Sequence, residues 1–187
     1  MISCFKGRFK VTSIRGNRVL GGKNQYHGGL DLVALDDTNI YAIADGVVDA
    51  VPYESAGFGY YVRQKLFDGR RIYYGHMKKG SVAVKAGQNI KKGDLLGVMG
   101  STGASTGAHT HLEIRVPGTS KESLDISAFT GIPNVIGTFD ASFITPEIAA
   151  GNIKEKCGLE DVTMNYLWQY KYAGDLFLKL WKAMEER

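Results

Sequence analysis

"HTHLEIRV", residues 109–116, alternates in polarity one residue at a time, the pattern of a β-strand in which side chains i and i+2 share a face. On that reading His109, His111 and Glu113 lie together on one face, while Leu112 and Ile114 turn to the other. Similar short runs, rich in β-branched and aromatic residues, recur on either side: "KVTSI", "IYAIADGVVDAV", "GYYVRQKL", "RRIYYGHM" and "GVMGS". Glycines separate them, and almost all of the 24 glycines fall before residue 140. Short strands broken by turns at intervals of roughly ten residues predict a mainly β fold, a compact antiparallel β-sandwich or barrel-like domain.

The composition changes at "FITPEIAAG". Thr145 is placed to cap a helix that Pro146 opens, with Glu147 in its first turn and Gly158 to end it. A second helix is expected from about Asp161. A third is expected from about Asp175, where Ala173, Leu176, Phe177, Leu180, Trp181 and Met184 recur at helical spacing. The expected organisation is therefore a β domain over residues 1–144 and a small C-terminal helical unit over 145–187. The apolar stripe of that unit is expected to pack on itself or on the β domain, with anchoring to a wall or partner as the alternative.

A chain of 187 residues with 44% apolar residues can bury a sizeable core. No stretch is apolar for as long as a membrane span requires, and the first fifteen residues lack the apolar core of a signal peptide, so synthesis in the cytoplasm is expected. The net charge of +4 is uneven, with 17 basic and 12 acidic residues up to 144 against 6 and 7 beyond it. That excess suits an anionic polymer or simple solubility. No dense basic stripe with interleaved aromatics points to nucleic acid. Cys4 and Cys157 have no paired spacing, so neither a disulfide framework nor a thiolate metal site is expected, and both read as inert small hydrophobes.

The four histidines, His27, His76, His109 and His111, all stand in short glycine-flanked segments. In a straight strand His27 and Asp31 would be separated by about 13 Å, too far for two ligands of one metal at about 2.1 Å each. "HGGLD" must bend, and glycine's access to positive φ at Gly28 and Gly29 would allow it. A plain turn with a capping aspartate is the alternative for that segment alone. His109 and His111, with Cα atoms about 6.5 Å apart on one face, allow one ring to hold a metal while the other stands beside it. A ligand from this pair, added to His27 and Asp31, makes a mixed nitrogen and oxygen site with an open position, the arrangement of catalytic zinc.

These segments resemble the lysostaphin/LytM-type zinc metalloendopeptidases, which cut peptidoglycan. The resemblance rests on "HGGLD" and "HTHLEIR", with "IYAIADGVV", "GFGYYV", "YYGHM" and "VKAGQNIKKGDLLGVMGSTGASTGAH" between them in the expected order, over roughly residues 21 to 116. Carried over by position, it implies zinc held by His27, Asp31 and His111, with His76 and His109 as the catalytic histidines. Thr110 and Leu112 stand where larger apolar residues are usual, and "DDTNIYA" lacks a common Gly-Thr-Pro turn; neither change touches a ligand position.

The expected function is hydrolysis of peptide bonds in bacterial peptidoglycan by a phage or prophage lysin that acts on the wall after release. The alternatives are a silent wall-binding or partner-activating module and a virion-associated tail lysin. No His-Glu-x-x-His helix is present, so a glutamate base of that type is not expected, and Glu113 reads as a supporting carboxylate.

Overall fold

A computed structural model describes residues 2–116, 122–141, 146–169 and 173–185. The chain divides into two compact units, Ile2–Ser142 and Phe143–Arg187. The first unit holds, in chain order, β1 (Arg8–Ser13), β2 (Gly16–Leu20), β3 (Lys23–His27), β4 (Leu30–Ala34), β5 (Asn39–Tyr41), β6 (Gly46–Ala50) and β7 (Tyr53–Glu54). There follow β8 (Gly59–Lys65), β9 (Arg71–Met77), β10 (Asn89–Ile90), β11 (Leu95–Val98), β12 (Thr110–Arg115), β13 (Ser123–Leu124), α1 (Ile126–Thr130) and β14 (Gly137–Asp140).

Ten strands form one antiparallel sheet along the path β10-β6-β8-β9-β12-β4-β1-β14, with β13 added to β12 and β7 to β8. The β class expected from the sequence is the one observed. The sheet keeps β10 and β14 as edges and does not close into a barrel. The stretch 109–116 supplies β12, which lies between β9 and β4. Its apolar face, Leu112 and Ile114, is fully buried with Leu30 and Leu32 of β4 and Ile72 and Tyr74 of β9. Each such side chain contributes about 1.5–3 kcal/mol of burial. The Tyr74 hydroxyl donates to Gln64 Oε1 at 2.7 Å and accepts from the Ile43 amide at 3.1 Å, so the one polar atom this ring buries is satisfied.

Three departures from the expected pattern concern the site. β2 and β3 form a separate hairpin from largely exposed polar sequence that carries no alternation signal. β4, "LDLVA", is buried along most of its length and so shows no alternation either. β9 is bulged: Tyr60 pairs with Met77 and Val62 with Tyr74, and within the bulge His76 adopts φ 59°, the only non-glycine residue with positive φ among those described.

In the second unit, α2 (Pro146–Cys157), α3 (Asp161–Trp168) and α4 (Ala173–Glu185) stand where helices were expected. Pro146 opens α2 and Gly158 follows its end in the left-handed region, whereas Thr145 lies outside the described residues. The apolar stripe packs on itself: Ala150, Ile153, Met164, Ala173 and Phe177 form a buried cluster flanked by Leu159, Leu167, Leu178, Trp181 and Met184. Leu176 and Leu180, read as part of the stripe, are 38% and 41% exposed, because α4 turns positions 173, 177, 181 and 184 inward. Among the described residues no helix is long and apolar enough to cross a membrane. Both cysteines are free; burial pushes the Cys4 thiol up to about 12, which fits an inert residue, but Cys157 is exposed and is no buried hydrophobe.

Candidate metal centre

The polar face of β12 carries the chemistry. Register pairs His111 directly with Asp31 of β4, and opposed residues of an antiparallel ladder hold their side chains within contact range. His27 closes β3 and reaches the same point because the chain turns at Gly28 and Gly29. The role expected of these glycines needs correction: neither adopts a left-handed φ. They are required for close approach instead. A Cβ on Gly29 would stand 2.3 Å from the Leu112 carbonyl oxygen, and one on Gly28 would stand 2.6 Å from Glu113 Oε1.

The ligand atoms make a near-equilateral triangle. His27 Nε2 lies 3.0 Å from Asp31 Oδ1 and 2.9 Å from His111 Nδ1, and His111 Nδ1 lies 2.9 Å from Asp31 Oδ1. All three residues are buried and together could hold a metal ion. Their outward bonds decide what the inward atoms offer. His27 Nδ1 donates to the Ile14 carbonyl at 2.7 Å, and His111 Nε2 donates to Glu113 Oε2 at 3.0 Å. Those partners only accept, so in the neutral rings the proton sits on the outer nitrogen and the inner nitrogen presents a lone pair. Two lone pairs and a carboxylate oxygen at about 3 Å repel unless a cation or a proton lies among them, and a small divalent cation bound by nitrogen and oxygen fits that donor set.

The same buried network sets the titration of its members. Burial opposes charge on Asp31, but bonds with His111 and His27 overcome it and hold the carboxyl well below the usual carboxylate range. Burial likewise opposes charge on Glu113, and His111 and Arg115 overcome it and hold this carboxyl at about 2. Arg115 grips Glu113 through Nε at 2.8 Å and Nη2 at 3.2 Å. Burial would lower His111, but the two carboxylates outweigh it and its pKa is raised.

His76 and His109 stand next to this cluster, with ring centroids 4.5 Å apart. His109 Nδ1 donates to the Gly107 carbonyl at 2.8 Å, leaving Nε2 at 3.6 Å from Asp31 Oδ1. His76 Nδ1 donates to the Thr102 carbonyl at 2.7 Å, and burial pushes this imidazole down to about 4. Thr102 also braces the bulge: its hydroxyl donates to the Met77 carbonyl at 2.7 Å and accepts the Tyr60 amide at 3.0 Å. The fold thus gathers all five residues singled out from the sequence. Asp31, His76, His109 and His111 line an open cleft of about 530 Å³.

Sequence reading missed the parts that contact the cluster from outside. The Ile14, Thr102 and Gly107 carbonyls are backbone groups with no residue-type signal. Arg18, which reaches Asp31 Oδ2 at 3.2 Å, stands in the unpatterned β2–β3 hairpin.

An open antiparallel sheet thus presents two histidines and an aspartate to one point, with two further imidazoles alongside. The model of peptidase family M23 matches residues 25–125, more than half of the chain, and the protein belongs to that family. Among its relatives, the peptidoglycan DD-endopeptidase ShyC of Vibrio cholerae is 36% identical over 100 residues, 54% of this chain and 22% of that protein. The glycyl-glycine endopeptidase ALE-1 of Staphylococcus capitis is 34% identical over 95 residues, 50% of this chain and 26% of that one. A mutant of the catalytic domain of the prophage-encoded M23 protein EnpA from Enterococcus faecalis has a similar structure. The TM-score is 0.57 at 35% identity, covering 66% of this chain and 93% of that one. The matched stretch thus spans about a quarter or less of the two curated relatives.

Proposed function

We propose that the protein is a zinc-dependent endopeptidase that hydrolyses peptide bonds of bacterial peptidoglycan, with His27, Asp31 and His111 as metal ligands and His76 and His109 as catalytic residues. On this reading residues 1–144 form the peptidase domain and 145–187 a helical appendage. The observation that carries it is the convergence of two imidazole nitrogens and a carboxylate oxygen within 3.0 Å of one another beside a cleft that two further imidazoles line. Zinc held there supplies Lewis acidity toward a carbonyl oxygen and toward water at neutral pH.

The chain's own residues do the rest. His109, its Nδ1 committed to Gly107, presents Nε2 to the cleft, where it takes a proton from the attacking water and returns it to the leaving amine. His76, its Nδ1 committed to Thr102, presents its other nitrogen, an acceptor in the neutral ring, from the bulge; it shares the proton traffic, and hydrogen-bonds the developing oxyanion once it has taken up a proton. Glu113 and Arg115 hold His111 in the tautomer that ligation needs. The cleft suits an extended peptide with small side chains, since Ala104, Gly107 and Ala108 form part of its wall.

The relative named for peptidoglycan supports the substrate class, the one named for glycyl-glycine bonds supports endopeptidase chemistry, and the likeness to a prophage-encoded protein supports a phage or prophage origin for the lysin. Zymography on wall preparations tests the proposal. A cleared band abolished by chelator and restored by zinc is expected. Wall binding without clearing at any metal concentration would overturn it in favour of a silent module.

A further inference from the structure

Arg18 stands on β2 opposite Gln25 and reaches across to the ligand cluster. Its Nη1 donates to Ser13 Oγ at 2.6 Å and to Asp31 Oδ2 at 3.2 Å. Among the described residues those are the only hydrogen bonds of its side chain, both made by one nitrogen, and its Nε is buried with no partner. Two-nitrogen grips on a carboxylate occur elsewhere in this protein, although Arg63 and Arg71 also meet Asp49 through Nε alone. Arg115 grips Glu113 through Nε and Nη2, and Arg8 grips Asp36 through Nε and Nη2. The Arg18 guanidinium has most of its five donors uncommitted.

Its charge has one partner, Asp31, whose Oδ2 lies 3.2 Å from Nη1. Arg18 lines the same cleft as Asp31, His76, His109 and His111, with about a quarter of its side chain accessible at 27%. Among the described lining residues it is the one permanent cation and Asp31 the one carboxylate. Asp31 Oδ1 is already shared by His27 and His111, and on the reading proposed above it also faces a divalent cation. One carboxylate cannot balance both that ion and Arg18. An anionic group entering the cleft would.

We propose that Arg18 is a specificity residue that receives a carboxylate of the substrate peptide. The guanidinium lies one carboxylate's width beyond the ligand cluster, which sets the substrate carboxylate a residue or two from the scissile bond at about 3.3 Å per residue of extended chain. A free C-terminus and an acidic side chain share that chemistry. The inference rests on the endopeptidase reading for its substrate but not for its contact.

NMR titration of the full chain, with and without added zinc, separates the cases. The probes are acetyl-Ala-Ala-Ala as the free acid and as the amide, and acetyl-Ala-Glu-Ala amide beside its Gln counterpart. One acid member should bind roughly tenfold tighter than its neutral partner, as a charge-assisted hydrogen bond implies, and which pair shows it tells a terminal from a side-chain carboxylate. Arg18→Gln should abolish that preference, and Arg18→Lys should retain part of it. Equal binding of acid and neutral peptides to the unaltered protein overturns the inference whatever the variants do. So does a preference that survives Arg18→Gln, which would make the metal ion the receptor. If the preference appears but walls are never cleared, the contact stands and the endopeptidase reading fails.

Discussion

His111 and Asp31 are register partners across β12 and β4, and their facing atoms, Nδ1 and Oδ1, lie 2.9 Å apart at the heart of the ligand triangle. His109, two residues back on the same face, holds its Nε2 at 3.6 Å from that oxygen. The two histidines of one motif therefore take different places. His111→Ala should lose both zinc and activity, whereas His109→Ala should keep zinc at one ion per chain and lose about 10²–10⁴-fold in rate, the usual worth of a general acid or base. Metal analysis and muropeptide release measure the two effects, and equal zinc loss in both variants would mean the roles are misassigned.

Glu113 does not line the cleft, yet as an acceptor it favours the proton of His111 on Nε2. Glu113→Gln keeps an acceptor but removes the charge that Arg115 and His111 share. A loss of about 10–100-fold in zinc affinity is expected, the range for groups that orient a metal-bound histidine. Competition with a chromogenic chelator reads it out.

Gly28 and Gly29 respond differently to a methyl group. At Gly29 the new Cβ meets the Leu112 carbonyl of the central strand, which cannot yield without breaking the sheet, so Gly29→Ala should destabilise by about 1–3 kcal/mol or more. At Gly28 it meets the Glu113 carboxylate, so Gly28→Ala should appear first as weaker zinc binding. Denaturant melts and zinc titrations of both variants distinguish the two expectations.

His76 is held near pKa 4 by burial, below the value of about 6.5 for a free histidine. The unfolded chain therefore binds a proton that the folded chain refuses between those values. This contribution to stability is complete above about pH 6.5 and is lost as pH falls toward 4, at about 1.4 kcal/mol per unit. Asn tolerates the left-handed backbone at this position, so His76→Asn should fold and lack that part of the acid sensitivity. Thermal melts from pH 7 to 4 should show the unaltered protein losing stability more steeply than the variant as the pH falls; equal slopes would contradict the assignment.

Much of this was legible in the sequence because the motif residues sit in strands with strong period-two patterning or beside glycines. Leu112 and Ile114 marked the buried face of β12, and the alternation that revealed them also aligned His109, His111 and Glu113. β4 escaped notice because a strand buried along its length shows no alternation, and the β2–β3 hairpin because a largely exposed ribbon has no apolar face to reveal it. The glycines of "HGGLD" suggest hinges by their conformational freedom, but the constraint at those positions is steric and comes from Leu112 and Glu113, residues more than 80 positions away. No local pattern encodes such contact. The helical unit was legible in its three segments, but which side of α4 faces inward depended on α2 and α3.

The central claim is that His27, Asp31 and His111 chelate one zinc ion. Anomalous diffraction at the zinc edge from crystals of the loaded protein tests it most directly. The account predicts one peak per chain at about 2.0–2.2 Å from His27 Nε2, Asp31 Oδ1 and His111 Nδ1. A peak elsewhere, or none at this triangle with the ion in excess, would contradict it.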